Sequence, residues 1–372
     1  MAQQWSFSAL DTLFFKESRP IESVGGSLLG SVFPPPARTM IGAIRTAIGD
    51  ALQVDWQAYG AGDLKEIEKI IGSKESLGDL KFTGPYLLKG DLRLYPLPLS
   101  YLEADTKQTR LIPSKTAIRC DLGTVQLPEK QLNLAGAKPR EGAFVTEKGL
   151  QQFLSGNAID KNEIVDSTAL YSTEYRLGIA RDNQTRVTGV GMLYQTQHIR
   201  PSHTADVKIA MTVQGLQAAE IPVEGLIRLG AEGRIAHWQR SSSTALPAIP
   251  KPKQVQGLML MLLSPALFSS GWCPDGFVKA NDGEKDIWQG EIAGVRLNII
   301  CSVVGKPVRE GGWDMVAKAP RPLASYVPAG SCYFCELADM QQDLQTLQNK
   351  LHGQQIGQEA EYGRGEIAVG YW

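Results

Sequence analysis

An α+β fold spread over more than one domain is what this sequence predicts, and three observations predict it. Strand-like and helix-like stretches are mixed without a long strand–helix–strand series, which favours α+β over a doubly wound parallel sheet. With 372 residues, 43% of them hydrophobic, the chain can bury more than one core. Gly 38 and Pro 21 suit a strand-rich protein with many turns better than a helical bundle.

The elements can be justified in order. Trp5-Ser6-Phe7-Ser8 alternates large apolar with small polar residues and reads as a strand with one buried face. Gly25-Gly26-Ser27 and then Phe33-Pro34-Pro35-Pro36 follow. The prolines force extended backbone and make a rigid entry to a helix over Arg38–Leu52. That helix sets Met40, Ile41, Ile44, Ile48 and Leu52 at three- and four-residue steps, and puts Arg38 and Arg45, seven apart, on one face. From 55 to 166 the pattern is less regular: short helices over Asp63–Ile71 and Glu147–Leu154, a strand over Tyr86–Tyr95, and a turn-rich stretch between Pro96 and Arg140. Strands are predicted over Thr168–Ala180, Gly189–His198, Asp206–Val213, Arg234–Trp238, Gly257–Leu263, Val295–Val304 and Ser331–Leu337. A last helix runs over Asp339–Leu351, with Asp339 as N-cap and Met340, Leu344, Leu347 and Leu351 on one stripe.

Composition narrows the function. Lys+Arg 38 balance Asp+Glu 39. A free nucleic-acid binder usually carries a basic surplus, because phosphate neutralisation drives its affinity. Any RNA contact here is therefore a local groove or one shared with other subunits. The N-terminus shows no signal-peptide pattern. The most apolar run, Gly257–Phe268, is about half the roughly 20 residues of a membrane helix and is broken by Pro265. Five scattered cysteines do not form a disulfide framework. A cytoplasmic protein without a membrane partner is expected.

Catalytic signals are sparse. The sequence has no Walker-type phosphate loop, no Gly-x-Ser-x-Gly elbow and no zinc-protease histidine pair. Cys332 and Cys335 lack a second pair for zinc, and three-residue spacing on a strand turns them to opposite faces. His198 and His203 flank a turn and are the two candidates for a general base in RNA cleavage.

Binding signals are richer. Glycine beside arginine occurs in Leu229-Gly230-Ala231-Glu232-Gly233-Arg234 and in Tyr362-Gly363-Arg364-Gly365-Glu366, a pairing that lets backbone N–H groups and a guanidinium approach phosphate. Tyr175-Arg176 through Arg181 and Arg186 to Tyr194 interleaves arginine with aromatics around a hairpin tip, a pattern suited to single-stranded RNA.

These stretches also resemble the RAMP superfamily of CRISPR proteins, most closely the family of the third subunit of the type III-B (Cmr) effector. The matching pieces are Asp11-Thr12-Leu13-Phe14-Phe15-Lys16 with Arg19-Pro20; Phe33-Pro34-Pro35-Pro36 with Thr39 and Gly42-Ala43-Ile44-Arg45; Gly178–Asp182 with Thr185; Gly191-Met192-Leu193-Tyr194; Arg228–Arg234; Ser264–Phe268 with Gly271-Trp272; Val327–Ser331; and Gly363-Arg364-Gly365. One departure is Ala231, where relatives often carry glycine. The resemblance implies two tandem ferredoxin-like (RRM-like) domains: residues 1–215, with an irregular insertion at about 55–166 and a hairpin near 176–200, and residues 216–372. It implies a non-catalytic subunit that needs no cofactor and holds the repeat-derived 5′ tag of the guide crRNA. Its expected neighbours are the large polymerase/cyclase-type subunit and the backbone RAMP subunits. The expected RNA-binding set is Arg38, Thr39, Arg45, Arg176, Arg181, Arg186, Tyr194, Gly230, Gly233, Arg234, Gly363, Arg364 and Gly365. The alternative is a guide-processing RAMP endoribonuclease using His198 or His203.

Overall fold

The structure, a computed structural model, describes residues 2–18, 28–73, 76–182, 184–217, 221–314, 318–338 and 343–372; the side chains of residues 180, 181 and 189–192 lie outside that description. Gly25-Gly26-Ser27, Arg19-Pro20, and Asp339 with Met340 fall outside the described residues. The chain is mixed α and β, mostly strands with few helices.

It divides into two compact units. Unit 1 comprises Met1–Asp91, Thr168–Ser243 and Arg309–Ala324; unit 2 comprises Leu92–Ser167, Thr244–Val308 and Ser325–Trp372. This division differs from a single cut after residue 215. Most of the irregular insertion belongs to the second unit, and residues 216–243 belong to the first.

Unit 1 is built on β1 (Gln3–Ala9), β2 (Lys81–Lys89), the hairpin strands β3 (Tyr171–Arg181) and β4 (Thr188–Pro201), β5 (Val207–Gln214), β6 (Glu224–Arg228) and β7 (Ile235–Ser242). Its main sheet runs β6-β7-β1-β5-β2, with every neighbouring pair antiparallel. The large residues of β1 share one side, where Trp5 and Phe7 pair in register with Met211 and Ile209 of β5 and Phe7 also pairs with Trp238 of β7, but Gln4 and Ser6 are buried as well, so both faces are covered and not the one expected. The five apolar residues are buried, and the Trp5 and Trp238 rings stack with centroids 4.8 Å apart. Helix α1 (Ala37–Ala51) covers this side, packing on β2 and β6 through a stripe that includes Met40, Ile41, Ile44 and Ile48. The helix begins straight after the three prolines, as expected, and Leu52 is its C-cap. The opposite face is polar: Gln4 Oε1 accepts from Tyr86 Oη at 3.2 Å, and Tyr86 Oη lies 2.9 Å from Thr212 Oγ1. After α1 come two short helices, α2 (Trp56–Ala61), unpredicted, and α3 (Lys65–Ile71).

Unit 2 has a sheet of order β9-β10-β11-β12-β8-β13, with β8 (Leu258–Leu262), β9 (Val278–Asn281), β10 (Asp286–Ile292), β11 (Val295–Val303), β12 (Cys332–Leu337) and β13 (Ile367–Tyr371), again antiparallel throughout. Every residue of β8 and β13 is buried, so both faces of these strands are covered. Helix α4 (Glu147–Leu154), within the predicted bounds, lies over one face: a Cβ placed on Gly370 would sit 2.4 Å from the Leu154 carbonyl oxygen. Helix α5 (Leu344–Leu351), N-capped by Asp343, closes the outer edge of β13. There Gln348 Nε2 donates to the Val369 carbonyl at 2.7 Å, and His352 Nδ1 accepts from the Val369 N–H at 3.0 Å. Cys332 and Cys335 are both buried in β12, and burial pushes the Cys332 thiol up to about 11. Among the described residues no helix is long and apolar enough to cross a membrane.

Candidate nucleic-acid interface

The β3–β4 hairpin presents two chemically different faces. Successive strand residues point to opposite sides. The register pairs Ser172 with Arg200, Glu174 with His198, Arg176 with Thr196 and Gly178 with Tyr194, so these residues share one face. The other carries Tyr175, Leu177, Ile179 and Leu193, all more than half exposed. Over the polar face the Tyr194 ring lies on Gly178, where an added Cβ would meet it at 2.4 Å.

At the base of the polar face three arginines converge on two carboxylates. Asp11, just beyond β1, is 2.8 Å from Arg176, 2.9 Å from Arg200 and 3.5 Å from Arg234. Glu174 is 2.7 Å from Arg176 and 2.5 Å from Arg200. The hydrogen bond from Arg176, reinforced by Arg200 against some desolvation, holds the Asp11 carboxyl down at about 2. Hydrogen bonds from Arg200 and then Arg176 lower Glu174 as well. Both carboxylates are therefore ionised at neutral pH, and three guanidinium charges face two negative ones. Two members of this cluster, Arg176 and Arg234, were expected; Asp11, Glu174 and Arg200 complete it. A paired reading of the hairpin would have put Glu174, Arg176 and Arg200 on one face. Asp11 comes from a segment 165 residues away from Arg176.

His198 lies next to this cluster and is enclosed. It is 1% exposed, its ring stacks on Phe14 with centroids 5.1 Å apart, and its nitrogens sit 3.1 Å from Thr12 Oγ1 and 3.0 Å from Thr196 Oγ1. Desolvation, with Arg234 and Arg176 adding to it, lowers its pKa and keeps it neutral. His203 is exposed in the turn before β5.

The glycine stretch after β6 is the β6–β7 turn, closed by Leu229 N–H to the Arg234 carbonyl at 2.8 Å. Gly230 has φ +85°, and an added Cβ would fall 2.4 Å from the Phe14 carbonyl oxygen; that carbonyl accepts from the Ala231 N–H at 2.8 Å. Glycine at 230 is thus required by the chain itself, while residues 230–233 stay exposed beside Arg234. At the hairpin tip Asp182 accepts from the N–H groups of Gln184 and Thr185 at 2.9 and 2.7 Å, and Arg186 projects from an exposed left-handed position, φ +59°. The backbone of Arg181 ends β3; its side chain lies outside the description.

The family model described as CRISPR-associated protein (Cas_Cmr3) matches residues 5–372. The chain belongs to the Cas_Cmr3 family. It is a type III-B Cmr CRISPR protein, a family of effector-complex subunits. No curated protein matches the sequence. Among solved structures, a chain of the type III-B Cmr-beta complex bound to cognate target RNA is 14% identical, with 98% of this chain and 96% of that one covered and a TM-score of 0.49. A chain of Cmr-beta bound to cognate target RNA and AMPPnP, state 1, is 13% identical, covering 89% and 86%, TM-score 0.48. A chain of the Csm3–Csm4 subcomplex of the type III-A interference complex is 11% identical, covering 100% and 99%, TM-score 0.41.

Several residues that this Cas_Cmr3 sequence offers as RNA ligands are engaged within the fold. Arg45 donates to Tyr59 Oη at 2.6 Å and to the Ser73 carbonyl at 2.8 Å, tying α1 to α2 and to the turn after α3. Arg364 is 2% exposed, with its guanidinium 4.4 Å from the Tyr326 ring centroid. Gly363 and Gly365 are buried with it, and a Cβ on Gly365 would fall 1.9 Å from the Ile356 carbonyl oxygen. The terminal Gly-Arg-Gly is therefore a packed corner of unit 2. Arg38 and Thr39 lie half-buried in the first turn of α1. Among the described residues no group of three or more His, Cys, Asp or Glu side chains is arranged to hold a metal.

Proposed function

We propose that this Cas_Cmr3 protein is a non-catalytic, RNA-holding subunit of a type III-B effector complex. It grips the 5′ tag of the guide crRNA with unit 1 and bridges the large polymerase/cyclase-type subunit to the backbone RAMP subunits. The observation that carries this reading is the convergence of Arg176, Arg200 and Arg234 at the foot of an outward-reaching hairpin. Guanidinium forks match phosphate oxygens and position a strand without reading its sequence. Arg186 and Arg181 at the tip, the exposed turn with Gly230 and Gly233, and Arg38 with Thr39 extend the surface. Tyr194 offers a face for an unstacked base. The enclosure of His198, with both ring nitrogens hydrogen-bonded, speaks against one of the two candidate bases and favours binding over cleavage.

Two ferredoxin-like cores belong to the same proposal, and strand order supports it. In unit 1 the strands β1, β2, β5 and β7 lie in the order β7-β1-β5-β2, and in unit 2 the strands β8, β11, β12 and β13 lie in the order β13-β8-β12-β11. Each is fourth-first-third-second, the split-βαβ arrangement of RNA-recognition modules.

The test is guide retention in the purified complex. Arg176→Gln with Arg234→Gln, preferred over reversal because a glutamate would face Asp11, should strip guide RNA from the complex. Guide occupancy equal to wild type would reject the unit 1 assignment.

A further inference from the structure

Resting on that reading of unit 1, we propose that Asp11, with Glu174, is a positioning and tuning residue of a phosphate subsite for single-stranded RNA: it holds Arg176, Arg200 and Arg234 in one exposed fan and masks most of their charge until RNA displaces it.

The fan is assembled from three distant parts of unit 1: the end of β1, the two hairpin strands, and the turn before β7. Three guanidinium groups brought together without counter-charge would repel one another, so carboxylates among them lower the cost of gathering the fan in the free chain. Among the described residues Asp11 is the one that touches all three, at 2.8, 2.9 and 3.5 Å. It does so at the surface, with its side chain 49% exposed and that of Glu174 35% exposed. An approaching phosphate therefore meets the same edge of the fan that the carboxylates occupy. A phosphate oxygen and a carboxylate oxygen accept from the same guanidinium donors, so RNA binding here is an exchange of acceptors. The neutral Thr12–His198–Thr196 chain behind Arg176 and Arg234 adds no competing charge.

The masking is in keeping with the chain's overall balance. A net charge of −1 is unusual for an RNA binder, but a carboxylate-latched fan gives weak binding in isolation. Tight binding then comes where neighbouring subunits fix the strand in place.

Binding of a short fluorescent single-stranded oligouridylate RNA to the full-length chain, measured against salt concentration, tests this. Asp11→Asn should tighten binding about three- to tenfold at low salt, the size of one unit charge removed close to a phosphate in a water-like dielectric. The slope of log K against log salt should steepen by about 0.7, the value for one more phosphate neutralised on a single strand. The gain should vanish at high salt. Glu174→Gln should act in the same direction by a smaller factor, and keeps the test open if Asp11→Asn fails to fold. Unchanged or weaker binding in a folded variant, with the wild type still binding RNA, overturns the tuning role and leaves the proposed function standing. If the wild type binds no RNA and Arg176→Gln with Arg234→Gln leaves guide retention in the complex intact, the underlying reading itself fails.

Discussion

A buried ion pair in unit 2 and a surface cluster in unit 1 use charge in opposite ways. Unit 2 holds one ion pair in its interior: Arg93 and Glu366 have side chains only 11% and 4% exposed, and Arg364 packs on Tyr326. Unit 1 keeps its largest charged cluster at the surface, with Asp11 half exposed among three arginines. Buried pairs cost much to break, because the surviving partner is left uncompensated. Exposed ones contribute little to stability and remain free to exchange partners. The contrast separates a pair that holds the fold from a cluster placed where it can exchange partners.

The sheets differ in a matching way. Both place four core strands in the same order, but unit 1 carries a helix after its first strand, α1, and unit 2 carries one after its third, α5. After the first strand of unit 2, Pro265, Gly271, Pro274 and Gly276 break up the stretch where a helix would form. Helix α4, from the segment inserted before it in sequence, covers that sheet instead.

The largest expected effect tests the buried pair. Glu366→Ala should lower unfolding stability by about 4 kcal/mol, the range for breaking a buried ion pair, while Asp11→Asn should cost less than about 1 kcal/mol; denaturant titrations compare them directly. Similar losses in the two variants would erase the contrast between the pair and the cluster. Next, Leu154→Ala, which empties a fully buried position in α4, should cost about 3 kcal/mol. Amide hydrogen exchange should then show protection lost in Ile367–Tyr371 and kept in Gln3–Ala9. Loss in both strands would mean that α4 does not serve unit 2 specifically. Within unit 1, Arg45→Met should cost about 1.5 kcal/mol through its two lost hydrogen bonds, with guide retention unchanged; loss of guide without loss of stability would return Arg45 to the RNA surface.

The smallest effect is graded with pH and shared by both units. His198 in unit 1 and His352 in unit 2 are both held below the usual histidine range, chiefly by burial. In the unfolded chain they take up protons first as pH falls below about 6.5. Their contribution is therefore intact above that value and lost as pH drops towards the folded pKa, by at most about 1.4 kcal/mol per pH unit for each. His198→Phe, which keeps the stack on Phe14, should flatten part of that slope in stability measurements between neutral and mildly acid pH; an unchanged slope would mean that His198 is already protonated in the fold.

Local pattern made much of this visible. The stripe in α1, the bounds of α4 and the alternation of Trp5 and Phe7 depend on residues close in sequence. The glycine loops show where local pattern stops. Gly230–Arg234 and Gly363–Gly365 read alike, yet one is an exposed turn and the other is sealed by Ile356 and Tyr326. The burial of Arg364 is set by residues that its own neighbourhood does not reveal. Asp11 was readable as part of a family stretch, but its role arises from Arg176, Arg200 and Arg234, which only the folded sheet brings together. Strand order is non-local too, since it follows from register between strands up to 239 residues apart, as in the pairing of Gln3 with Ser242.

Crosslinking of guide RNA within the assembled complex, followed by identification of the modified peptides, probes the central claim most directly. Modified residues are expected in the hairpin over 172–200 and in the turn over 230–234. Crosslinks confined to unit 2 peptides, with none in those two segments, would contradict it.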